Sequence, residues 1–201
     1  MRSERTYNGV PISAILHPFS DNPDLVERIA HRRVLAPVTI VEPDPAWPSH
    51  FQFFKARIES ALATPAPHAT STDDSDAPPP TILTINHIGS TSVPFLPAKP
   101  VIDIDLVLSS HAHPSDEAFY VARLEAAGFR FLLREPAWHG HRFFVWEPED
   151  ETLMPIACNL HLWGPLCPEV ERHVIFRDYL RGEKGEADRR LYADTKREAA
   201  Q

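Results

Sequence analysis

A Gly-Ser turn, followed by an apolar strand that carries two aspartates, constrains this chain more than any other feature. The turn is Gly89-Ser90, and the apolar run 101–108 contains Asp103 and Asp105. Side chains two residues apart on a strand point to the same side of a sheet, so the two carboxylates are expected to project together. Carboxylates paired on an apolar strand repel each other and lose hydration unless a cation or hydrogen-bond donors compensate.

This arrangement suits a site that binds both a metal ion and a phosphate. Asp103 and Asp105 offer oxygen ligands of the kind that Mg²⁺ prefers, and both are predicted to be catalytic metal ligands. The backbone N–H groups and hydroxyls of Gly89, Ser90 and Thr91 are expected to bind a phosphate. Metals held by carboxylates neutralise phosphate charge in nucleotidyl transfer, so the pattern predicts a metal-dependent nucleotidyltransferase. In the alternative interpretation, Asp105 is solvated at a strand end and Asp103 caps a neighbouring loop.

Four basic side chains are further candidates for phosphate binding. Lys99 lies between the Gly-Ser turn and the aspartate strand, and Arg142 begins a later apolar strand. Arg177 and Arg181 are spaced to share one face of a helix, where paired guanidinium groups can hold a phosphate. The structural alternatives are a surface lysine that extends into water and arginines that form ion pairs with nearby acids.

His161 is the candidate general base or additional metal ligand on a late strand. It shares a strand face with Asn159 because the two are separated by one residue. A histidine can change its protonation state near neutral pH and can also bind metals, so we assign His161 a catalytic role. A hydrogen-bonded structural histidine on a half-buried strand is the alternative.

The separated motifs also resemble one protein family, the GrpB family. The segments that carry the resemblance are 41–47, 87–94, 98–104, 159–162 and 176–181, with Tyr192 and Lys196. Together they span about Val38 to Ala199. The resemblance implies a polymerase-β-like nucleotidyltransferase fold but no settled reaction. Phe95 stands where the family usually has Gly, and such enzymes normally carry a third acidic residue that this chain lacks at an obvious position.

Length and charge limit the function classes further. The chain has 201 residues, which suits one domain with a sizeable core. Its 20 basic and 28 acidic residues give a formal net charge of −8, which argues against non-specific nucleic-acid binding and favours a small-molecule acceptor. No signal peptide or membrane-spanning stretch is visible, so a cytoplasmic location and no membrane partner are expected. The oligomeric state stays open.

The order of predicted elements favours an α+β fold, with a mixed β-sheet flanked by helices and C-terminal helices at the end. We expect an N-terminal extension over 1–36 and one domain over 37–201, with a flexible insertion at 64–80 rich in Pro, Ser and Thr. The predicted strands are 38–41, 81–85, 101–108, 129–132, 141–146 and 156–163. The predicted helices are 22–30, 47–62, 116–127, 169–181 and 185–199.

Two other classes of function compete with the metal-dependent enzyme. In one, catalysis has been lost and the fold binds a nucleotide or a protein partner. In the other, the fold carries out a different group transfer, such as acyl transfer. Metal dependence separates the three, because only the nucleotidyltransferase requires both aspartates and Mg²⁺.

Overall fold

A six-stranded mixed sheet is the centre of the fold. The computed structural model describes residues 4–17, 19, 22–33, 39–63, 78–148 and 154–200. Strands lie in the order β3-β6-β7-β8-β5-β4, and the pair β5·β8 is parallel whereas the other neighbours are antiparallel. The strands are β3 (Glu27–Arg28), β4 (Ile82–Ile88), β5 (Val101–Leu108), β6 (Arg130–Glu135), β7 (His141–Trp146) and β8 (Ala157–Trp163). The predicted α+β class with a mixed sheet is confirmed.

Five helices and a small hairpin complete the described structure. The hairpin joins β1 (Thr6–Tyr7) to β2 (Val10–Pro11). The helices are α1 (Ile12–Leu16), α2 (Trp47–Ala63), α3 (Pro114–Ala126), α4 (Pro168–Arg181) and α5 (Glu186–Ala199). A proline begins both α3 and α4, where its missing N–H leaves no hydrogen bond unmade. Among the described helices, none has the length and apolar character needed to cross a membrane.

The two faces of β5 have different environments because its side chains alternate. Ile102, Ile104 and Leu106 are fully buried and share the main core with the apolar faces of α2 and α3. Asp103 and Asp105 lie on the opposite face, where α4 reaches the sheet through His173. We refer below to the aspartate side as the polar face of the sheet.

An apolar stripe along α2 forms part of the main core. Trp47, Phe54, Ile58 and Leu62 are all buried, as their helical spacing requires. Burying such a side chain stabilises the fold by about 1.5–3 kcal/mol. The stripe therefore fixes α2 against the apolar face and leaves the polar face available for a site.

Two predicted elements near the N-terminus differ from the structure. The helix expected over 22–30 is wrong: Pro23–Leu25 forms one 3₁₀ turn, and β3 then pairs with the edge of β6. Nine residues are too few for a stable helix without packing, whereas β6 offers unpaired backbone groups. Of the strand expected at 38–41, residue 38 lies outside the described residues, and Val41 forms a single antiparallel bridge with Ala98. Residues 64–77 of the expected insertion also lie outside them.

Phe95 adopts a backbone conformation that favours glycine. Its φ is 63°, and its side chain is 84% exposed, so the ring gains little from burial. The side chain contributes to surface clefts lined by Pro43, not to the cavity at Asp103 described below. The ring of Phe95 therefore does not narrow the cavity at Asp103.

Replacing Phe95 by Gly is expected to stabilise the protein. A left-handed conformation costs a non-glycine residue about 1–2 kcal/mol, and glycine loses about 0.5–1 kcal/mol through the freedom of the unfolded chain. The net gain of roughly 0.5 kcal/mol corresponds to a Tm higher by about 2 °C. Phe95→Ala is the control, because it removes the ring but keeps the strained conformation; an equal rise in its Tm would contradict this explanation.

Candidate functional site

A cavity of about 550 Å³ lies at the end of β5 on the polar face of the sheet. It is formed where the Gly-Ser loop, β5, β8 and α5 meet. Its polar lining consists of Ser90, Thr91, Lys99, Asp103, Asn159, Tyr192 and Lys196. The structure thus brings together the predicted loop, the first aspartate and Lys99. It adds two residues of α5 because that helix folds back over the cavity.

The loop and β5 are in contact at Gly89. The φ of Gly89 is 65°, and a Cβ placed there would lie 2.4 Å from Oδ2 of Asp103. A glycine is therefore required both by the backbone conformation and by the nearby carboxylate. The loop continues as a 3₁₀ turn over Ser90–Ser92, where the Ser92 hydroxyl donates to the Gly89 carbonyl at 2.6 Å.

Hydrogen bonds within the loop fix Thr91 in place. Its hydroxyl donates to the carbonyl of Val101 at 3.0 Å, so it accepts from Nε2–H of His87 at 3.1 Å. Burial, together with the charges of Arg181 and Arg177, lowers the pKa of His87 to about 3. The histidine is therefore neutral at physiological pH and acts as a fixed donor that supports the loop.

Arg177 and Arg181 contact the loop from behind. Arg177 donates to the carbonyl of His87 at 3.0 Å, and Arg181 donates twice to the carbonyl of Ser92 at 2.7 and 3.0 Å. Both also form ion pairs with Asp178. The two arginines, which were predicted to bind a phosphate, lie next to the Gly-Ser loop, where they hold backbone carbonyls and do not line the cavity.

Among the described residues, Asp103 supplies the carboxylate that lines the cavity. Its Oδ1 accepts a hydrogen bond from Nδ2 of Asn159 at 2.7 Å. Burial raises the pKa of Asp103, the Asn159 hydrogen bond opposes this, and the nearby Asp105 adds to it, giving a value of about 6. A carboxylate with such a pKa exchanges protons close to neutral pH, which suits a general base.

Asp105 lies on the same sheet face but in a different environment. It is fully buried, with Oδ1 accepting from Trp163 Nε1 at 2.8 Å and Oδ2 accepting from His173 Nδ1 at 2.9 Å. Burial lowers the pKa of His173, but the hydrogen bond and charge of Asp105 outweigh that effect and raise it. Hydrogen-bond donors of the protein therefore offset the buried negative charge of Asp105. The sequence pattern allowed either such donors or a bound cation.

The donor set does not fit the two-carboxylate magnesium site that the sequence predicts. Both oxygens of Asp105 are held by Trp163 and His173, and Asp105 does not line the cavity. Within the ranges that the structure describes, no three His, Cys, Asp or Glu side chains are grouped to hold a metal ion. Of the two aspartates, Asp103 is the one that lines the cavity, next to the loop that was expected to bind a phosphate.

His161 is held in one tautomer by a buried chain of hydrogen bonds. Nδ1–H of His141 donates to Glu135 at 2.7 Å, so the Nε2 of His141 accepts from Nδ1–H of His161 at 3.0 Å. Burial is the main cause that lowers the pKa of both histidines. His161 is thus neutral with Nε2 unprotonated, on the polar face beside Asn159, although it does not line the cavity itself.

The structure does not bring Arg142 to the cavity. Arg142 pairs in register with Leu162, so its side chain points to the apolar face, where Nε donates to Glu117 at 2.7 Å. The alternation of side chains along β7 places it opposite to the aspartates. The predicted phosphate contact is replaced by an ion pair with α3, as in the structural alternative.

Several site residues were not singled out by sequence reasoning. Sequence reasoning placed Asn159 only as the neighbour of His161, and it did not identify His173, because the partner of His173, Asp105, is distant in the chain. Tyr192 and Lys196 were part of the family resemblance, and only the return of α5 places them at the cavity. No spacing rule within a helix would have connected them to Asp103.

The fold and the cavity define an α+β protein with a polar cavity at one sheet face. The chain belongs to the GrpB family, because the family model described as GrpB protein matches residues 37–201. It is 39% identical over 166 residues to a UPF0157 protein of Halalkalibacterium halodurans, covering 83% of this chain and 71% of that protein. It is 35% identical over 159 residues to a UPF0157 protein of Pseudomonas aeruginosa, covering 79% of this chain and 55% of that one.

A solved structure supports the architecture. The conserved protein GrpB from Enterococcus faecalis matches with a TM-score of 0.61 at 24% identity, covering 81% of this chain and 82% of that chain. At this level of identity the match establishes the shared fold. The family model thus confirms the predicted family, and the solved structure supports the fold.

Gly89→Ala is expected to destabilise the protein by about 2 kcal/mol or more, because the added Cβ meets the Asp103 carboxylate and φ is positive. Thermal or urea unfolding measures the change. Asp103→Ala in the same chain should recover part of the loss by removing the carboxylate. Gly182→Ala is the matched control, since its φ is −74° and the nearest atoms to a new Cβ are 3.5 Å away. Equal losses at Gly89 and Gly182 would disprove the contact.

Asp103→Asn is expected to raise the Tm at pH 8 and to leave it unchanged near pH 4. The folded-state pKa of about 6 exceeds the usual 3.8, so the folded protein binds a proton in that interval that the unfolded chain does not. Ionised Asp103 therefore lowers stability above pH 6, and the neutral amide removes that penalty. Unfolding curves from pH 4 to 8 measure the difference, and a gap that does not change with pH would refute the shifted pKa.

Proposed function

We propose that this protein binds the phosphates of a nucleotide or similar small molecule in the Asp103 cavity and transfers the group attached to those phosphates to a small acceptor. The bond between that group and the phosphates breaks as the acceptor forms its new bond, and the phosphates leave. The observation that carries the proposal is the convergence of Lys99, Lys196 and the Gly-Ser loop on one carboxylate. Ammonium groups and loop N–H groups are suited to phosphate oxygens. In this scheme the two lysines neutralise the phosphate charge.

Lys196 supports an anionic ligand in particular. It is half-buried, and its ammonium donates to the carbonyl of Pro97 at 2.9 Å, which holds it at the cavity. Burial lowers its pKa, Asp103 raises it and Lys99 lowers it further, giving a value of about 8. Lys99 thus repels the ammonium of Lys196 while both lysines border one carboxylate, and this favours the binding of a further anion between them.

Asp103 is proposed as the general base that accepts a proton from the acceptor. Its pKa of about 6 leaves it mostly ionised at neutral pH and still able to take up a proton. The acceptor would approach beside Asn159, whose amide fixes one carboxylate oxygen and leaves Oδ2 toward the Gly89 side of the loop. The net charge of −8 favours a small-molecule acceptor over nucleic acid.

Magnesium-dependent nucleotidyl transfer is the second candidate function. It is favoured by the position of Asp103 and Asp105 on one sheet face and by the contact between Asp103 and the Gly-Ser loop. It requires Asp105 to release Trp163 or His173 before it can bind a metal together with Asp103. That requirement is why we place this function second.

Titration with ATP, with and without Mg²⁺, separates the two functions. If lysines bind the phosphates, Lys99→Ala and Lys196→Ala should each weaken metal-free binding by roughly tenfold, the loss expected for a hydrogen bond to a charged group. Asp103→Asn should keep or strengthen binding, because it removes a negative charge near the ligand. Lys55→Ala is the control, since that lysine pairs with Glu59 on the surface of α2.

The opposite pattern would support the magnesium-dependent enzyme. In that case ATP binds only with Mg²⁺, and Asp103→Asn and Asp105→Asn each abolish binding. Absence of ATP binding under both conditions, with the wild-type protein folded, would reject a nucleotide ligand. Isothermal titration calorimetry at two salt concentrations measures all of these outcomes, and lysine-based binding weakens at higher salt.

A further inference from the structure

The segment that follows β3, before the family-matched residues 37–201, brings Arg32 to the polar face of the sheet. β3 pairs with β6, and the N–H groups of Ile29 and Ala30 then donate to the carbonyl of Leu132 at 2.8 and 3.0 Å. The N–H of Arg33 donates to the Glu147 carboxylate at 3.0 and 3.2 Å. Backbone contacts on both sides therefore fix the position of Arg32.

The side chain of Arg32 contacts two neighbouring strands. Its Nη2 donates to Oδ1 of Asn159 on β8 at 2.7 Å. Its guanidinium lies over the ring of Phe143 on β7, 5.7 Å from the ring centroid. The hydrogen bond and the cation–π contact together hold the planar group in one orientation.

Arg32 therefore determines which way the amide of Asn159 faces. A guanidinium only donates and an ionised carboxylate only accepts, so an amide between them has one favourable orientation. Oδ1 of Asn159 faces Arg32 and Nδ2 faces Asp103, with both bonds at 2.7 Å. The bonds connect a cation, an amide and a carboxylate in series, so each one polarises the next in the same direction.

We propose that Arg32 is a positioning residue of the Asp103 cavity, which acts through Asn159 to hold the carboxylate in place. The segment that supplies it lies outside residues 37–201 matched by the family model. The structure thus assigns a functional role to the N-terminal extension that the family match does not include. This role concerns the same cavity as the proposed function, but its main test needs no ligand.

The side-chain amide of Asn159 reports on this role by NMR. In the wild-type protein its two N–H protons should be well separated in chemical shift and exchange slowly with water. Arg32→Ala should reduce the difference between the two chemical shifts. It should also speed the exchange of these protons with water by about tenfold, because the side chain of Asn159 then has one hydrogen bond fewer to break when it opens. Arg28→Ala, at an exposed position of β3 in the same segment, should change neither.

Backbone amides of β8 separate positioning from a general loss of structure. The proposal expects the N–H groups of Leu160 and Leu162 to keep their protection in Arg32→Ala. Unchanged exchange of the Asn159 side chain would overturn it. Equal loss of protection along the β8 backbone would also overturn it, because Arg32 would then stabilise the strand as a whole.

A double-mutant cycle with ATP as the probe then tests the link to binding. Arg32→Ala and Asn159→Ala should each shift the Kd for ATP in the same direction, by no more than roughly fivefold, and the double variant should bind ATP like Asn159→Ala alone. Effects of the two substitutions that multiply would show that Arg32 acts independently of Asn159 and would overturn the proposal. If the wild-type protein binds no ATP, the proposed function fails, whereas the NMR result still decides the role of Arg32.

Discussion

The approach of the Gly89 backbone to the Asp103 carboxylate is the constraint on which the rest of the cavity depends. A side chain at residue 89 would come within 2.4 Å of Oδ2, so the loop and the strand can meet only at a glycine. This contact brings the loop N–H groups next to the carboxylate. Arg177 and Arg181 then hold the loop from its other side through the carbonyls of His87 and Ser92.

Side chains on the two faces of β5 have different roles, one set in the core and the other at the polar face of the sheet. Its even-numbered side chains are buried in the core with α2 and α3, whereas its two aspartates face the polar side. The two carboxylates differ because of what covers each one. Asp105 lies under α4 and receives hydrogen bonds from His173 and Trp163, while Asp103 faces the cavity with Asn159 as its donor.

Segments from both ends of the chain complete the cavity. α5 returns to place Lys196 and Tyr192 at its wall, and the segment after β3 brings Arg32 to Asn159. Cations from distant parts of the chain therefore surround a carboxylate whose pKa is raised mainly by burial. Such a concentration of charge in a partly buried cavity is typical of functional sites, because it lowers stability unless a ligand compensates it.

Local sequence patterns predict most strands and helices of residues 37–201, the shared face of Asp103 and Asp105, and the family. The helical spacing of apolar residues predicts α2, and the spacing of the two aspartates predicts their common face, because both follow from local geometry. Contacts between distant segments decide the remaining features of the cavity. The register of β5 with β8 selects Asn159 for Asp103, the position of α4 removes Asp105 from the cavity, and the alternation of β7 turns Arg142 toward Glu117. Each of these contacts joins residues far apart in the chain, and local patterns carry no information about such pairs.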